Sequence, residues 1–253
     1  MSNDTPVAII TGAAGGIGRA VAERFTESGV RSIIVDIRGD NAALVASELR
    51  ASSGTETLGL GVDITNPDSV AHMVSAVRSA FGRIDHLVNC AGMSETIATK
   101  DQTVDGWRRV LDLNLTGTFL CCREVHDSLA ETDGSIVNIA SVTGSMATRP
   151  EVHAAYDASK SAVVALTRTL GAEWATDGIR VNAVSPGYTN TQMLQTVGSE
   201  HPEVLAAWID QIPQHRLIEP SEIAEVVYFL ASRRASAMTG TTVSVDGGYL
   251  ATK

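Results

Sequence analysis

Short runs of apolar and β-branched residues alternate with longer helical patterns along nearly the whole chain. The runs predict strands near residues 6–11, 32–36, 57–63, 86–90, 135–140, 179–184 and 241–245. The stretches between them predict helices near residues 17–28, 40–52, 67–81, 104–130, 154–176 and 221–231. Because the strands are apolar throughout rather than alternating, they are expected to be buried on both faces of a parallel sheet. The pattern predicts the α/β fold class, with a doubly wound, Rossmann-like parallel sheet of about seven strands and helices on both faces.

The chain of 253 residues has a length suited to one domain, and we expect residues 1–253 to form a single domain. One segment, at about 187–220, interrupts the alternation and contains the sequence HPEVLAAWIDQIP. It follows the carboxyl end of the sixth predicted strand, where ligands bind in such sheets. We therefore predict that it is a substrate loop.

Composition narrows the possible partners. The net charge of −10 comes with no basic run, which disfavours nucleic acid. The apolar runs are short, which disfavours a membrane span, and the N-terminus has no basic or long apolar region typical of a secretory signal. The cysteines Cys90, Cys121 and Cys122 lack C-x-x-C spacing, which favours a reducing compartment over disulfides or a metal site. We expect no metal and a cytoplasmic location.

A glycine-rich segment, Thr11 to Gly18, follows the first predicted strand and opens the first helix. Glycines allow a tight turn and a close approach to a pyrophosphate, whose charge is met by amides at the helix N-terminus. The spacing T-G-x-x-x-G-x-G is one interval longer than the common dinucleotide fingerprint. A tight turn alone would also explain the glycines, but the position in the first βα unit favours a dinucleotide site.

The acidic residue Asp36 ends the second predicted strand, 18 residues after Gly18. A carboxylate there can accept both hydrogen bonds of a ribose diol and would repel a 2′-phosphate. A turn or helix cap would also explain an aspartate, and Arg38 could bind the phosphate instead. Since Ala14 in the glycine loop supplies no second cation, we predict NAD rather than NADP as the cofactor.

A tyrosine and a lysine, Tyr156 and Lys160, stand at i and i+4 in YDASK and share one helix face. That face continues through Val163 and Thr167, so the lysine lies on an apolar stripe, where ammonium groups are rare. A cation beside a phenol is expected to lower the pKa of the phenol and make it a proton-transfer group. An isolated Y-x-x-x-K would more simply be a surface pair. Here Ser141 follows the strand SIVNIA, where its hydroxyl could bind a substrate oxygen.

Together these motifs resemble those of the short-chain dehydrogenase/reductase family, in the family's order and over nearly all of the chain. Asp63 and Ile64 are similar to its adenine-contacting pair. Asn89-Cys90-Ala91-Gly92 is similar to its strand-four motif, with Cys90 where a second asparagine is usual. Asn114 within LNLTG resembles its helix-interrupting asparagine, and Pro186-Gly187 its nicotinamide-side motif.

The resemblance implies a catalytic tetrad of Asn114, Ser141, Tyr156 and Lys160. In alcohol oxidation Tyr156 would accept the proton while hydride passes to the nicotinamide, and Ser141 would orient the substrate oxygen. Lys160 would also bind the nicotinamide ribose, and Asn114 would hold a water between Lys160 and solvent. The departures, Cys90 and the negatively charged Asp157, remove none of these roles.

We expect residues 1–253 to form a single dinucleotide-binding catalytic domain that interconverts a small secondary alcohol and its ketone with NAD(H). The predicted cofactor contacts are Gly12, Gly15, Gly16, Ile17, Gly18, Asp36, Ile37, Asp63, Ile64, Asn89, Ala91, Gly92, Tyr156, Lys160, Pro186, Gly187 and Thr189. The predicted substrate contacts are Ser141, Thr143, His153, Tyr156, Tyr188, Met193 and Trp208. Two alternatives stay open, namely an NADPH-linked 3-oxoacyl thioester reductase of the same family and a non-catalytic dinucleotide sensor. A serine hydrolase is disfavoured because no G-x-S-x-G elbow is present.

Two neighbouring helices are apolar on more than one face, which predicts self-association. The helix at 154–176 shows Ala155, Ala158, Ala162, Ala165 and Leu166 on its second face. The helix at 104–130 is similarly apolar along Val110, Leu111, Leu115, Phe119 and Leu120. We expect these helices to pair with their copies across a two-fold axis, and the family resemblance extends this to a homotetramer. Alternatively, the 187–220 segment folds back over them.

Overall fold

A computed structural model describes residues 4–252 of the chain. Within them, seven strands form one parallel sheet in the order β3-β2-β1-β4-β5-β6-β7. The strands are β1 (Val7–Thr11), β2 (Arg31–Asp36), β3 (Thr57–Gly61), β4 (His86–Asn89), β5 (Ser135–Ile139), β6 (Arg180–Pro186) and β7 (Thr242–Val245). The order reverses between β1 and β4, and this crevice at the carboxyl ends of the strands is where ligands bind in open α/β sheets.

The α-helices cover both faces of the sheet. They are α1 (Gly16–Glu27), α2 (Gly39–Ser53), α3 (Pro67–Phe81), α4 (Val104–Leu111), α5 (Thr118–Ala130), α6 (Ala154–Glu173), α7 (Gln192–Glu200), α8 (Pro202–Gln211) and α9 (Pro220–Ala231). Successive side chains of β1 point to opposite faces. Val7 and Ile9 therefore pack with α3 and α5, whereas Ala8 and Ile10 pack with α1, α2 and α9. The predicted doubly wound fold class is confirmed.

Two strand ends differ from the prediction by two residues, and the other ends differ by at most one. β3 ends at Gly61 rather than at residue 63, and a Cβ on Gly61 would lie 3.0 Å from the Cα atom of Gly39, so the chain passes close to the start of α2 there. β6 runs to Pro186 rather than to residue 184 because Pro186 pairs with Val245 of β7. Both strand ends are thus set by contacts between segments that are distant in sequence, namely a backbone contact at the end of β3 and strand pairing at the end of β6.

The helix predicted over 104–130 is interrupted by a π-helix, Asp112–Gly117, between α4 and α5. In a π-helix each hydrogen bond spans one more residue than in the α-helix, and such turns are frequent at functional sites. Gly117 closes it at a tight contact, because a Cβ there would lie 2.9 Å from the side chain of Ile64. The interruption places Asn114, a predicted catalytic residue, in the π-helical turn, where it is buried.

The segment at 187–220 forms the helices α7 and α8, which we call the cap. Its two ends are joined at the base, where the amide of Asn190 donates to the carbonyl of Ile218 at 2.8 Å and the amide of Ile218 donates to Tyr188 at 2.9 Å. The side-chain amide of Gln211 donates to the carbonyl of Arg149 at 3.1 Å, which fixes the end of α8 to the loop before α6. In the described part of the chain, no helix has the length and apolar character needed to cross a membrane.

Candidate active site

Three of the four predicted catalytic residues lie around the carboxyl end of β5. Ser141 follows this strand and begins a short 3-10 turn, accepting a 3.2 Å hydrogen bond from the amide of Thr143. Tyr156 and Lys160 lie one turn apart on α6, which packs against that turn, with Lys160 Nζ 5.7 Å from the centroid of the Tyr156 ring. The structure thus brings together the residues that the sequence predicted to act jointly.

The ammonium of Lys160 is buried. Its Nζ atom donates a 2.7 Å hydrogen bond to the carbonyl oxygen of Ile139. Burial lowers the pKa of Lys160 from its ordinary value to about 8, because the charged form is poorly solvated. One hydrogen bond compensates the buried ammonium only in part. Its positive charge can therefore act on a negative charge that develops on a nearby phenol oxygen.

The pKa of Tyr156 differs from the expected direction. Burial raises it, a hydrogen bond with Ser141 lowers it, and the nearby negative charge of Asp157 raises it further. The sequence predicts instead that Lys160 lowers this pKa. In the structure the ammonium is directed to the carbonyl of Ile139, so Ser141 rather than Lys160 supplies the lowering.

The side chain of Asn114 joins two segments of the site. Its Nδ2 atom donates to the carbonyl of Met93 and to Ser159 Oγ, both at 2.9 Å, and its Oδ1 atom accepts from the amide of Met93 at 2.8 Å. Ser159 in turn donates to the carbonyl of Tyr156 at 2.7 Å. Asn114 therefore ties the loop after β4 to the turn of α6 that carries Tyr156. Sequence reasoning missed Ser159, although it lies inside YDASK.

Gly92 lies against this group. A Cβ at Gly92 would be 3.2 Å from Asn114 Oδ1 and 3.5 Å from Lys160 Nζ. The backbone of the strand-four motif thus passes directly beside two predicted catalytic side chains. Any larger residue at position 92 would displace them.

The glycine loop packs on the end of β4. Gly12 has φ +63°, and a Cβ there would lie 2.7 Å from the Cα atom of Ala91. Thr11 Oγ1 accepts 3.2 Å hydrogen bonds from the amides of Cys90 and Ala91, a role that the sequence did not reveal. These contacts fix the loop against the site that holds Lys160.

The loop also fits a pyrophosphate. The helix α1 begins with Gly15 as its N-cap, which has no side chain to satisfy the first amides of the helix. A Cβ on Gly15 would meet nothing within 4 Å, so open space adjoins these amides. Free N–H groups at a helix N-terminus bind phosphate well.

The carboxylate of Asp36 lies at the carboxyl end of β2 with its side chain 14% exposed. Its Oδ1 atom accepts from the amide of Arg38 at 3.1 Å, while the Arg38 guanidinium is 72% exposed and its Nε atom is 3.8 Å away. Acceptor capacity remains on the carboxylate for a ribose diol. The residues present therefore fit a nicotinamide dinucleotide.

The other predicted cofactor contacts differ in the solvent exposure of their side chains. Asp63 is exposed, and its Oδ1 atom accepts from the amide and hydroxyl of Thr65. Ile37 is 66% exposed, whereas Ile64 is buried in the core. The first turn of α1 contains Gly16, Ile17 and Gly18. Pro186 ends β6, and Gly187 and Thr189 lie in the segment that follows it.

The side-chain amide of Asn89, another predicted cofactor contact, donates hydrogen bonds to other buried side chains of the protein. Its Nδ2 atom donates to Asn138 Oδ1 at 2.9 Å and to Cys122 Sγ at 3.3 Å. This side chain links β4 to β5 and α5. The sequence gave no signal for the partner, because Asn138 is distant along the chain.

Two predicted substrate contacts, Tyr188 and Trp208, stack with ring centroids 5.2 Å apart. Tyr188 Oη donates to Glu151 Oε2 at 3.1 Å, and Trp208 Nε1 donates to Glu151 Oε1. Glu151 thus anchors the cap, although the sequence did not single it out. The side chain of Met193 lies outside the described residues.

The remaining predicted substrate contacts lie beside Tyr156. His153 is buried immediately before α6, with its ring centroid 5.4 Å from that of Tyr156. Thr143 is buried on the turn after Ser141. Among residues 4–252, no group of three or more His, Cys, Asp or Glu side chains is arranged to hold a metal ion.

Comparison with known proteins identifies the class. A family model described as "Enoyl-(Acyl carrier protein) reductase" matches residues 12–250. A solved short-chain type dehydrogenase/reductase from Mycobacterium marinum superposes with a TM-score of 0.90 at 35% identity, covering 96% of this chain and 95% of that chain. The chain belongs to the short-chain dehydrogenase/reductase family, and it is an oxidoreductase acting on CH–OH groups.

Two curated relatives have named activities. Galactitol 2-dehydrogenase (L-tagatose-forming) of Cereibacter sphaeroides is 38% identical over 97% of this chain and 95% of its own length. NAD-dependent glycerol dehydrogenase of Listeria innocua is 37% identical over 96% of this chain and 93% of its own length. Both align over nearly their full length, so the similarity includes the site as well as the sheet.

Proposed function

We propose that this chain uses NAD(H) to interconvert a small secondary alcohol and its ketone, with Tyr156 as the general acid/base. The observation that carries the proposal is the arrangement at the end of β5, where Tyr156 is hydrogen-bonded to Ser141 and lies beside the buried ammonium of Lys160. A phenol, a hydroxyl and a cation at one point can bind an alcohol oxygen and move its proton.

Each residue has a separate task. In oxidation the Tyr156 phenolate takes the proton of the alcohol hydroxyl, and Ser141 Oγ donates to the same substrate oxygen as it becomes a carbonyl. Lys160 would bind the nicotinamide ribose and places a positive charge near the phenol, and Asn114 holds the turn of α6 in place. A nicotinamide dinucleotide held through its pyrophosphate at the glycine loop would supply the hydride acceptor.

NAD is the proposed cofactor because of Asp36. Its carboxylate would accept hydrogen bonds from the adenosine ribose, whereas a 2′-phosphate would meet a negative charge. The exposed guanidinium of Arg38 would favour NADP instead. The name of the NAD-dependent glycerol dehydrogenase relative supports NAD.

The proposed substrate is a free small molecule. A thioester on an acyl carrier protein is the second candidate, because the matching family model is named for such a substrate. Acidic carriers dock on basic surfaces, but Glu200, Glu203 and Asp210 are exposed on the cap. The galactitol and glycerol dehydrogenase relatives are named for small alcohols, which supports the first candidate.

We also propose a homotetramer that pairs α5 and α6 with their copies. Phe119 is 39% exposed on α5, and Ala158 and Ala165 are exposed on α6, whereas Ala155, predicted for the same face, is buried. Light scattering at micromolar concentration is expected to give a mass near four chains. A mass near that of one chain would contradict the pairing of these helices.

The proposed activity is tested by NADH formation with a panel of secondary alcohols and polyols. We expect NADH formation by the unmodified protein and its near-complete loss in Tyr156→Phe, with NADH binding by fluorescence retained because only the transferable proton is removed. Retention of more than a few per cent of the activity by this variant would exclude Tyr156 as the main acid/base.

A further inference from the structure

Two polar side chains next to Tyr156 have no task in the proposed reaction. The first is His153, which is 8% exposed and lies three residues before Tyr156 with the two rings edge to face. The second is Thr143, which is 6% exposed and lies two residues after Ser141. Both are buried polar groups on the segments that carry Ser141 and Tyr156, and such groups normally have hydrogen-bond partners.

The imidazole of His153 lies against the carboxylate of Asp157. Nδ1 of His153 is 2.9 Å from Oδ1 of Asp157, one helical turn further along α6, although the two atoms do not have hydrogen-bond geometry. The negative charge beside Nδ1 favours a proton on that atom, which leaves Nε2 as an acceptor in the neutral imidazole. Within residues 4–252, Nε2 of His153 contacts Thr148 Oγ1 at 3.5 Å, which is longer than an ordinary hydrogen bond. The Nε2 atom therefore retains most of its capacity to accept.

The hydroxyl of Thr143 is more isolated. Its Oγ1 atom is buried and has no hydrogen-bond partner in the described part of the chain. The turn that carries it packs closely on α6, since a Cβ on Gly144 would lie 3.0 Å from the carbonyl oxygen of Lys160. Thr143 and His153 thus lie on the two segments that carry the Ser141–Tyr156 pair.

A substrate with only hydrocarbon beside its carbinol would leave both groups buried and unsatisfied, which costs free energy. A hydroxyl on the neighbouring carbon can donate to Nε2 of His153 and accept from the hydroxyl of Thr143. An anionic group is disfavoured by the carboxylate of Asp157, which lies against His153. We infer that His153 and Thr143 bind a second hydroxyl next to the reacting carbinol, so that the substrate is an uncharged vicinal diol or polyol.

This inference rests on the proposed alcohol dehydrogenase activity and is tested with matched substrate pairs. The pairs are 2-butanol with 2,3-butanediol and cyclohexanol with 1,2-cyclohexanediol, each diol in its separate stereoisomers. Sites built to hydrogen-bond a hydroxyl strongly reject analogues that lack it. We expect kcat/KM for the preferred diol to exceed that of its monohydroxy partner by about 100-fold.

Two variants separate binding of the second hydroxyl from a structural role. His153→Phe keeps an aromatic ring against Tyr156 but removes the acceptor, and it is expected to lower kcat/KM for the diol at least about tenfold more than kcat/KM for the monohydroxy alcohol. His153→Gln places an amide group near the position of Nε2 and is expected to restore part of the preference. Retained NADH binding shows that each variant is folded.

The outcomes distinguish the two proposals. Equal use of diol and monohydroxy alcohol by the unmodified protein would overturn the inference and leave the proposed function standing. An equal loss for both substrates in His153→Phe would also overturn it, because that result reports packing only. No NADH from any of these compounds, nor from linear polyols of four to six carbons, would overturn the proposed function itself.

Discussion

The Nζ atom of Lys160 donates a 2.7 Å hydrogen bond to the backbone carbonyl oxygen of Ile139, the last residue of β5. The strand end thus fixes the position of the ammonium, and the ammonium donates to a carbonyl at the carboxyl end of the sheet. Burial lowers the pKa of this lysine to about 8. Near neutral pH the protein therefore maintains a desolvated charge at the centre of its candidate active site.

This charge is expected to reduce stability. The pKa of Lys160 is lower in the folded chain, at about 8, than its ordinary 10.5, so the unfolded chain binds the proton more tightly. The destabilisation caused by the buried ammonium therefore has its full size below pH 8, and it decreases as the pH rises toward 10.5. Lys160→Met should abolish turnover and raise the free energy of unfolding at pH 7 by about 1–3 kcal/mol, less than the full linkage value because the carbonyl of Ile139 loses its partner.

Urea unfolding at pH 7 and pH 9.5 measures this effect. The gain should be smaller at pH 9.5, where the native lysine is mostly neutral. Lys100→Met is a matched control, because the Lys100 side chain is 84% exposed and its removal should change stability little. A Lys160→Met protein less stable than the original at pH 7 would show that the hydrogen bond to Ile139 outweighs the cost of the buried charge.

The negative charge of Asp157 raises the pKa of Tyr156, a smaller effect than the raising by burial. Asp157→Asn removes that charge and should stabilise the phenolate, so that alcohol oxidation reaches its maximum at lower pH. The profile of kcat/KM against pH for a monohydroxy alcohol measures the shift without involving the second hydroxyl. Asp210→Asn, on the exposed side of α8, is the control. A shift to higher pH would mean that Asp157 acts on Tyr156 by some route other than its charge.

Asp36 is expected to decide the choice of cofactor. Asp36→Ala should lower kcat/KM for NAD by about 10- to 100-fold, because hydrogen bonds to a charged group are lost, and should affect NADP less. Arg38→Ala tests the opposing cation and should leave the use of NAD nearly unchanged. The comparison requires steady-state rates with both cofactors for the three proteins. Comparable use of NADP by the unmodified protein would contradict the weight placed on Asp36.

Glu151 should control the order of the cap. Tyr188 and Trp208 both donate to its carboxylate, and Glu151→Gln leaves only one amide oxygen to accept from two donors. We expect a higher KM for the alcohol and faster proteolysis within residues 192–211. Glu203→Gln, on the exposed surface of α8, is the matched control. Unchanged proteolysis would mean that stacking of Tyr188 on Trp208 is sufficient to hold the cap.

Local pattern predicted most of the fold. The strand positions followed from apolar β-branched runs, and the helix carrying Tyr156 and Lys160 followed from its periodicity. The misplaced ends of β3 and β6 depend on Gly39 and Val245, which are distant in sequence. Such contacts leave no periodic signal.

The candidate site was predictable where a motif is contiguous, as in YDASK and the glycine loop. It was not predictable where one residue joins two distant segments. Glu151 joins the loop before α6 to the cap, and Thr11 joins the glycine loop to β4. The raised pKa of Tyr156 depends on solvation and on the direction of the Lys160 ammonium, neither of which a sequence spacing contains.

The π-helix at Asp112–Gly117 makes chain length, rather than residue identity, the constrained quantity in this segment. Deleting one of its residues would let α4 and α5 fuse into a continuous α-helix, which is locally the easier structure. A π-helical turn accommodates one extra residue within an α-helix, so the deletion would leave the flanking faces of α4 and α5 in nearly the same rotational phase. Val110, which is fully buried, would stay in the core, whereas Asn114, which lies inside the π-helical turn, would lose its position beside Ser159. A single-residue deletion here should therefore reduce activity more than stability.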